Sequence, residues 1–424
     1  MLSEVLSPRF NAPGEPTPRL AVGRTPADRW PFVRDQGVAW AIWLCLLVVV
    51  CAFIIWGPQR SVTKTYFLSA LVWISGESLY NNEGTGFLYL PQSALLFVPL
   101  AGLPALWANL LWRCVTIGLF AWGIQRFAAL GEAVTRKPLF GVTTAVAMPL
   151  AWSSALNGQA TLPMAGLMMA AMAYLADSKW WRAAACLVLA VALKPLALVL
   201  LLLSAVLYGP MRARLMILTA SILLIPFLTQ SPSYVWSQYE GFVRMAHLAD
   251  QHSNLMYFAQ LFGMLRVFRI EVPEQMQAIA RLIAAGATLA VCLYYSRRLE
   301  RLRWISCFYA LGACYLMLFN PRTENNTYSL VGPAIGLFLA VAVQAERSWA
   351  RAIMLGAMAL GTVCSWELGR LITPVSHSVW LAPLMCIAFC CYLAADLFNE
   401  RPWPTRQPQI AADRPSNLHR AKAA

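Results

Sequence analysis

A few residues of this chain are of a type and in a place that could do chemistry. Lys194 stands in the stretch Ala192-Leu193-Lys194-Pro195, twelve residues from one end of the apolar run 182 to 208 and fourteen from the other. A lysine at membrane depth costs about 2.5 to 3.5 kcal/mol on insertion scales, so such a residue is usually functional or paired. It is too central in its run to reach the interface on its own stem. The following proline removes a backbone hydrogen bond and bends the chain. Broken backbone at that depth survives only where protein buries it or a cavity admits water. Arg113 is the other cation inside an apolar run. Arg322, Glu324, Asn325 and Asn326 share the seven-residue turn 320 to 326 between two apolar runs. There an arginine either recognises an anion or ties the turn to its neighbouring glutamate. Carboxylates able to take a proton from a hydroxyl are Glu77 and Glu83 in the segment 57 to 87, Glu324, and Asp250 beside Gln251-His252-Ser253-Asn254. The plainer reading of each is a solvated loop acid. Asn157 and Gln159 either cap a helical hairpin or offer amides to a hydroxyl-bearing ligand.

These residues need a scaffold, and composition says what it is. Of 424 residues 59% are hydrophobic and 12% charged, about half the charge of an ordinary soluble domain. Apolar runs of roughly 18 residues recur, each long enough to cross about 30 Å of hydrocarbon. The expected fold is therefore all-α and polytopic, with runs near 38–56, 88–101, 105–125, 138–155, 159–176, 182–208, 212–228, 276–296, 304–319, 327–344, 350–369 and 377–396. That is about twelve membrane segments. Residues 1–36 and 399–424 read as cytoplasmic tails around a membrane domain 37–398. The tails carry five basic residues each and place both termini inside. Arg297, Arg298, Arg301 and Arg303, then Arg347 and Arg351, mark two cytoplasmic loops and leave 229–275 external. Simple alternation then puts Arg126, Arg136, Lys137, Lys179 and Arg182 outside, against the rule; a broken or re-entrant helix at Lys194-Pro195 would relieve the conflict. The external segments 57–87 and 229–275 are amphipathic, with aromatics suited to the membrane interface.

The net charge of +14 sits at run ends and in the tails, with no aromatic-interleaved basic groove, so nucleic acid is not an expected partner. The eleven cysteines lie in apolar runs rather than at paired loop spacings, and the four histidines have no metal-binding spacing. Neither a metal nor a cofactor is expected.

Four motifs in order carry a family resemblance. The run from Ser69 to Tyr80 with its continuation from Gly86 to Leu100, the turn Asn157-Gly158-Gln159, the helix break Lys194-Pro195 and the late turn Asn320-Pro321-Arg322-Thr323 together resemble glycosyltransferase family 87 over roughly residues 40 to 345. The resemblance implies a GT-C type helical fold and a hexosyltransferase, mannosyltransferase-like, that uses a polyprenyl-phosphate sugar as co-substrate. Its partners would be membrane lipids, that lipid-linked donor and a glycolipid or polysaccharide acceptor, met on the external face of a plasma membrane, expected to be a bacterial inner membrane. The chemistry would be inverting displacement at the anomeric carbon: a carboxylate takes the acceptor proton and cations meet the leaving phosphate. Where the family carries an aspartate early in its first external loop, a register anchored on Gly76 to Tyr80 places Val62, with Thr63 and Lys64 beside it. The base then falls to Glu324, with Glu77 second. Lys194 and Arg322 become donor-phosphate residues, and Asn325, Asn326, Asn157, Gln159 and Tyr89 complete the substrate-binding set. Two other classes remain open: a transporter or flippase for a lipid-linked substrate, given an intramembrane cation and a broken helix, and a catalytically silent relative, given the missing aspartate.

Overall fold

The computed structural model describes residues 26–57, 61–80, 86–253, 258–372, 379–400 and 403–404. Glu83 and the side chain of Asp250, both acids considered above, lie outside what is described.

All regular elements among the described residues are helical. In chain order they are α1 (Pro26–Trp56), α2 (Thr63–Ser75), α3 (Pro91–Ala101), α4 (Ala105–Thr135), α5 (Phe140–Asn157), α6 (Thr161–Ala176), α7 (Trp180–Leu193), α8 (Leu198–Leu207), α9 (Gly209–Leu224), α10 (Pro232–Ser253), α11 (Leu261–Val267), α12 (Glu274–Tyr295), α13 (Arg301–Phe319), α14 (Gly332–Val341), α15 (Trp349–Val363), α16 (Ser365–Ile372) and α17 (Leu381–Phe398). Seven helical stretches among the described residues are long and apolar enough to cross a membrane. The first helix begins at Pro26, so residues 26–36, read above as tail, continue α1.

Burial follows the side-chain pattern. Every residue of α6 except Tyr174 is buried, as expected of a helix apolar all round, and Gly123 of α4 meets Gly166 of α6 so closely that a Cβ on either would strike the other helix's backbone. Small residues allow this in a membrane, where close packing rather than water exclusion draws helices together. On the periphery Leu282 is 74% and Met216 68% exposed, facing what would be acyl chains. Cys314 of α13 and Cys386 and Cys390, one turn apart on α17, bring their sulfurs within 4.8 Å of one another.

Polar contacts sort the helix ends into two groups. At a basic end, Asp177 pairs with Lys179 at 2.7 Å and Arg126 at 3.8 Å. There Arg301 donates to Leu175 O and Ser178 Oγ, and Arg303, Arg351, Glu346 and Asp396 interlock. At the opposite, polar end lie α2, the turn 157–161, Lys194 and residues 320–326. The helix α4 starts at the polar end, where Asn109 accepts from Thr63, and runs to the basic end.

Its predecessor α3 therefore does not cross. It starts beside Tyr89, which bonds Tyr66 of α2, and the next helix sets out from that same end. Eleven residues span only about 17 Å. This corrects the reading of 88–101 as a membrane segment. Pro195 breaks the other suspect run, with Lys194 in extended backbone (φ −156°, ψ 123°). Trp180, at the start of α7, approaches Tyr208, which follows α8, with ring centroids 6.2 Å apart. So α7 and α8 form a hairpin entered from the basic end, with Lys194-Pro195 at its tip. With α3 not crossing, α4 brings Arg126, Arg136 and Lys137 to the basic end, and α6 does the same for Lys179 and Arg182. The conflict with the charge rule disappears.

Candidate active site

The site lies where the hairpin tip, the turn between α5 and α6, and the late turn converge. The α5 helix ends on Gly158, whose φ of +67° is left-handed backbone that a side chain would strain; a Cβ there would also run into the Arg113 guanidinium. Buried Arg113 donates to Leu156 O and Ser61 Oγ, each at 2.9 Å, while Trp112 Nε1 donates to Gly158 O at 2.8 Å. The turn is thus held from behind by α4.

In front of it Gln159 donates from Nε2 to Glu324 Oε2 at 3.2 Å, and Asn326 donates to the same oxygen at 2.9 Å. Glu324 Oε1 has no hydrogen-bond partner among the described residues. Lys194 donates from Nζ to Thr161 Oγ1 at 2.8 Å, and Thr161 Oγ1 lies 3.4 Å from Gln159 Oε1. The charge of Glu324 acts on Lys194, Arg322, Tyr66 and Tyr89. The Arg322 guanidinium stands 5.5 Å from the Phe258 ring centroid; partial burial lowers its pKa and Glu324 opposes that shift. It remains charged. Tyr66 and Tyr89 share a 2.9 Å hydroxyl contact, and Ala160 N donates to Tyr66 OH at 3.3 Å. Burial raises the Tyr66 pKa, so the phenol stays neutral.

A cavity of about 780 Å³ opens on Glu324, Asn325 and Asn326, walled by Met148 to Ser153 of α5 (Ala151 excepted), Phe258, Ala259 and the end of α15. Ser154 Oγ donates to Asn326 O at 2.9 Å, fixing the late turn to α5.

The structure therefore brings together Glu324, Gln159, Asn326, Lys194, Arg322 and Tyr89. Asn325 lines the cavity, and Asn157 contributes its carbonyl, which accepts from Val62 N and Ser61 Oγ. Glu77 is elsewhere. Its carbonyl accepts from Tyr234 OH at 2.6 Å and its side chain is exposed, beside a small satellite core that includes Trp73, Tyr80 and Val235. Val62 and Thr63 lie against the turn after α5, with Thr63 buried and donating to Asn109 Oδ1 at 2.5 Å; Lys64 is exposed. Sequence reasoning did not single out Thr161 or Tyr66. Nothing in their types marks them, although Thr161 lies two residues past Gln159.

The profile of glycosyltransferase family 87 matches residues 87–321, more than half of the chain. The protein belongs to glycosyltransferase family 87, and with it to the GT-C type of membrane glycosyltransferases. No curated protein matches the chain. Among solved structures it is similar to ArnT from Cupriavidus metallidurans bound to undecaprenyl phosphate, at 15% identity and a TM-score of 0.45, over 87% of this chain and 77% of that one.

Proposed function

We propose that this protein transfers a mannose-like hexose from a polyprenyl-phosphate donor to a hydroxyl acceptor at the external face of a plasma membrane, with Glu324 as the base. The observation that carries the reading is the state of the Glu324 carboxylate: two amides hold Oε2, Oε1 is open, and two cations stand near it. As the acceptor oxygen attacks the anomeric carbon, its proton passes to Oε1. The bond from that carbon to the phosphate oxygen breaks with inversion, and its electron pair leaves on the phosphate. Lys194 and Arg322 meet that charge. Gln159, Asn326 and the paired tyrosines supply hydroxyl partners for the sugar. The basic end faces the cytoplasm and the polar end the outside, since basic residues concentrate at the first. Labelling of a cysteine introduced at Pro404, in a chain without native cysteines, should occur only from the cytoplasmic side.

The test is transfer of labelled hexose from purified polyprenyl-phosphate hexose into the lipid and polysaccharide fractions of membranes containing the protein. Transfer that falls about a hundredfold in Lys194→Met supports the reading. Undiminished transfer in both that variant and Glu324→Gln refutes the site. A second reading, a silent relative, has its own observation: Thr63, near the place of the family's aspartate, is buried and spent on Asn109. It would show no transfer from any polyprenyl-phosphate hexose.

A further inference from the structure

We infer that the 780 Å³ cavity is the acceptor site and that the acceptor is a lipid, a hydroxyl-bearing headgroup on an apolar tail, entering between α5 and α15; the inference rests on the transferase reading. The volume is that of a small-molecule site, about 300 to 1,000 Å³. The walls decide the chemistry. Met148, Pro149, Leu150 and Val363 offer no side-chain hydrogen bonds, and α15, which bears Val363, is one of the shorter apolar helices. A glycan chain laid along those walls would leave hydroxyls without partners, which is unfavourable. A tail would not. Trp152 meets Phe53 of α1 edge-on at 6.0 Å, and Phe53 is 48% exposed on the outer surface, so the wall adjoins the acyl region.

The floor has the opposite character. Glu324, Asn325 and Asn326 form it, with Ser153 and Ser365 in the lining. The Asn326 amide already donates to Glu324 Oε2, and Glu324 Oε1 has no hydrogen-bond partner among the described residues, a position that a headgroup hydroxyl would satisfy. Lys194 does not line this cavity; it reaches Glu324 through Thr161 and Gln159. Donor phosphate and acceptor thus approach one carboxylate from two sides, which keeps the leaving group and the nucleophile apart.

The experiment uses the full chain in nanodiscs and an alkyl glucoside with a diazirine on its second methylene. Crosslinks should fall on 148–153 and 362–365 and be competed by unlabelled alkyl glucoside but not by methyl glucoside. Val363→Trp should cut them roughly tenfold, the loss of about 1.4 kcal/mol of binding, while Ile353→Trp on the same helix's exposed face leaves them unchanged. Labelling spread evenly over lipid-facing helices, undiminished labelling in Val363→Trp, or equal competition by a soluble tetrasaccharide would overturn the proposal. Hexose release from polyprenyl-phosphate hexose in the same preparation reads the transferase separately. Hexose passing to the alkyl glucoside while crosslinks fall elsewhere overturns the cavity assignment alone; no hexose leaving the donor overturns both.

Discussion

The two ends of the bundle both gather charge, and they do so to opposite effect. At the basic end Asp396 gives one oxygen to Arg303 at 2.8 Å and the other to Arg351 at 2.6 Å. Arg351 also holds Glu346 at 2.8 Å and donates to the Tyr392 hydroxyl. Every carboxylate oxygen of Asp396 is committed to a cation. At the polar end Glu324 is gripped by neutral amides through one oxygen, while its cations, Lys194 and Arg322, act without a direct ion pair to it being needed to hold the turn. Saturation separates a group that holds helices from one that, on the proposed mechanism, exchanges a proton. A buried pair loses stability when one partner is removed, whereas a poised carboxylate loses rate.

The contrast breaks first at Glu324. Glu324→Gln keeps the size and the amide contacts, so hexose transfer should fall by about a hundred- to ten-thousandfold with thermal stability in detergent unchanged; comparable loss of both would make Glu324 a structural group. Asp396→Ala should do the reverse. It leaves buried Arg303 without its carboxylate and Arg351 with Glu346 alone, and should cost about 3 to 5 kcal/mol of stability, read as a lower melting temperature, with the activity of the folded fraction intact. Gly158→Ala sits between these cases, because it strains the left-handed turn and crowds Arg113. A loss of about 1 to 3 kcal/mol together with reduced transfer is expected from one substitution, measured by melting and assay in the same sample. Glu77→Gln should change stability by no more than about 0.5 kcal/mol, as an exposed site does, and leave transfer near the wild-type rate. A large loss there would move the base to α2's loop and sink the priority given to Glu324.

Much of the site could be read from the chain because membrane depth makes charge expensive: Lys194 and the late turn declare themselves by position alone. Their meeting could not. Gln159 and Glu324 are 165 residues apart, and no periodicity links a turn after α5 to a turn after α13. The segment count misled for a local reason. The apolar run at 88–101 has the composition of a span, but Pro91 starts α3 and Gly102 follows its last residue, leaving eleven residues where crossing needs about twenty. The run 182–208 was counted as one crossing although its two halves return to the same end. Counting one crossing too many at α3 and treating the hairpin as a single crossing cancelled, so the parity of the termini came out even despite both. Glu77 is close to Tyr80 and Tyr89 in sequence, yet Tyr80 reaches Tyr89 through its hydroxyl while the Glu77 side chain is exposed to solvent.

The hairpin of α7 and α8 also bears on how the chain is made. Its limbs have fourteen and ten residues, about 21 and 15 Å, and neither is long enough to settle in a bilayer as an independent unit during synthesis. Its tip is anchored by earlier residues, with Lys194 on Thr161 and Ser93 donating to Ala192 O, whereas the anchors of its base come later: Trp304 Nε1 donates to Tyr208 OH at 3.2 Å, and Arg301 reaches Ser178. A nascent chain released before α13 therefore has Lys194 already seated on Thr161 but lacks both the groups that close the base of the hairpin and the late turn with Glu324, which follows only after three quarters of the polypeptide has entered the membrane.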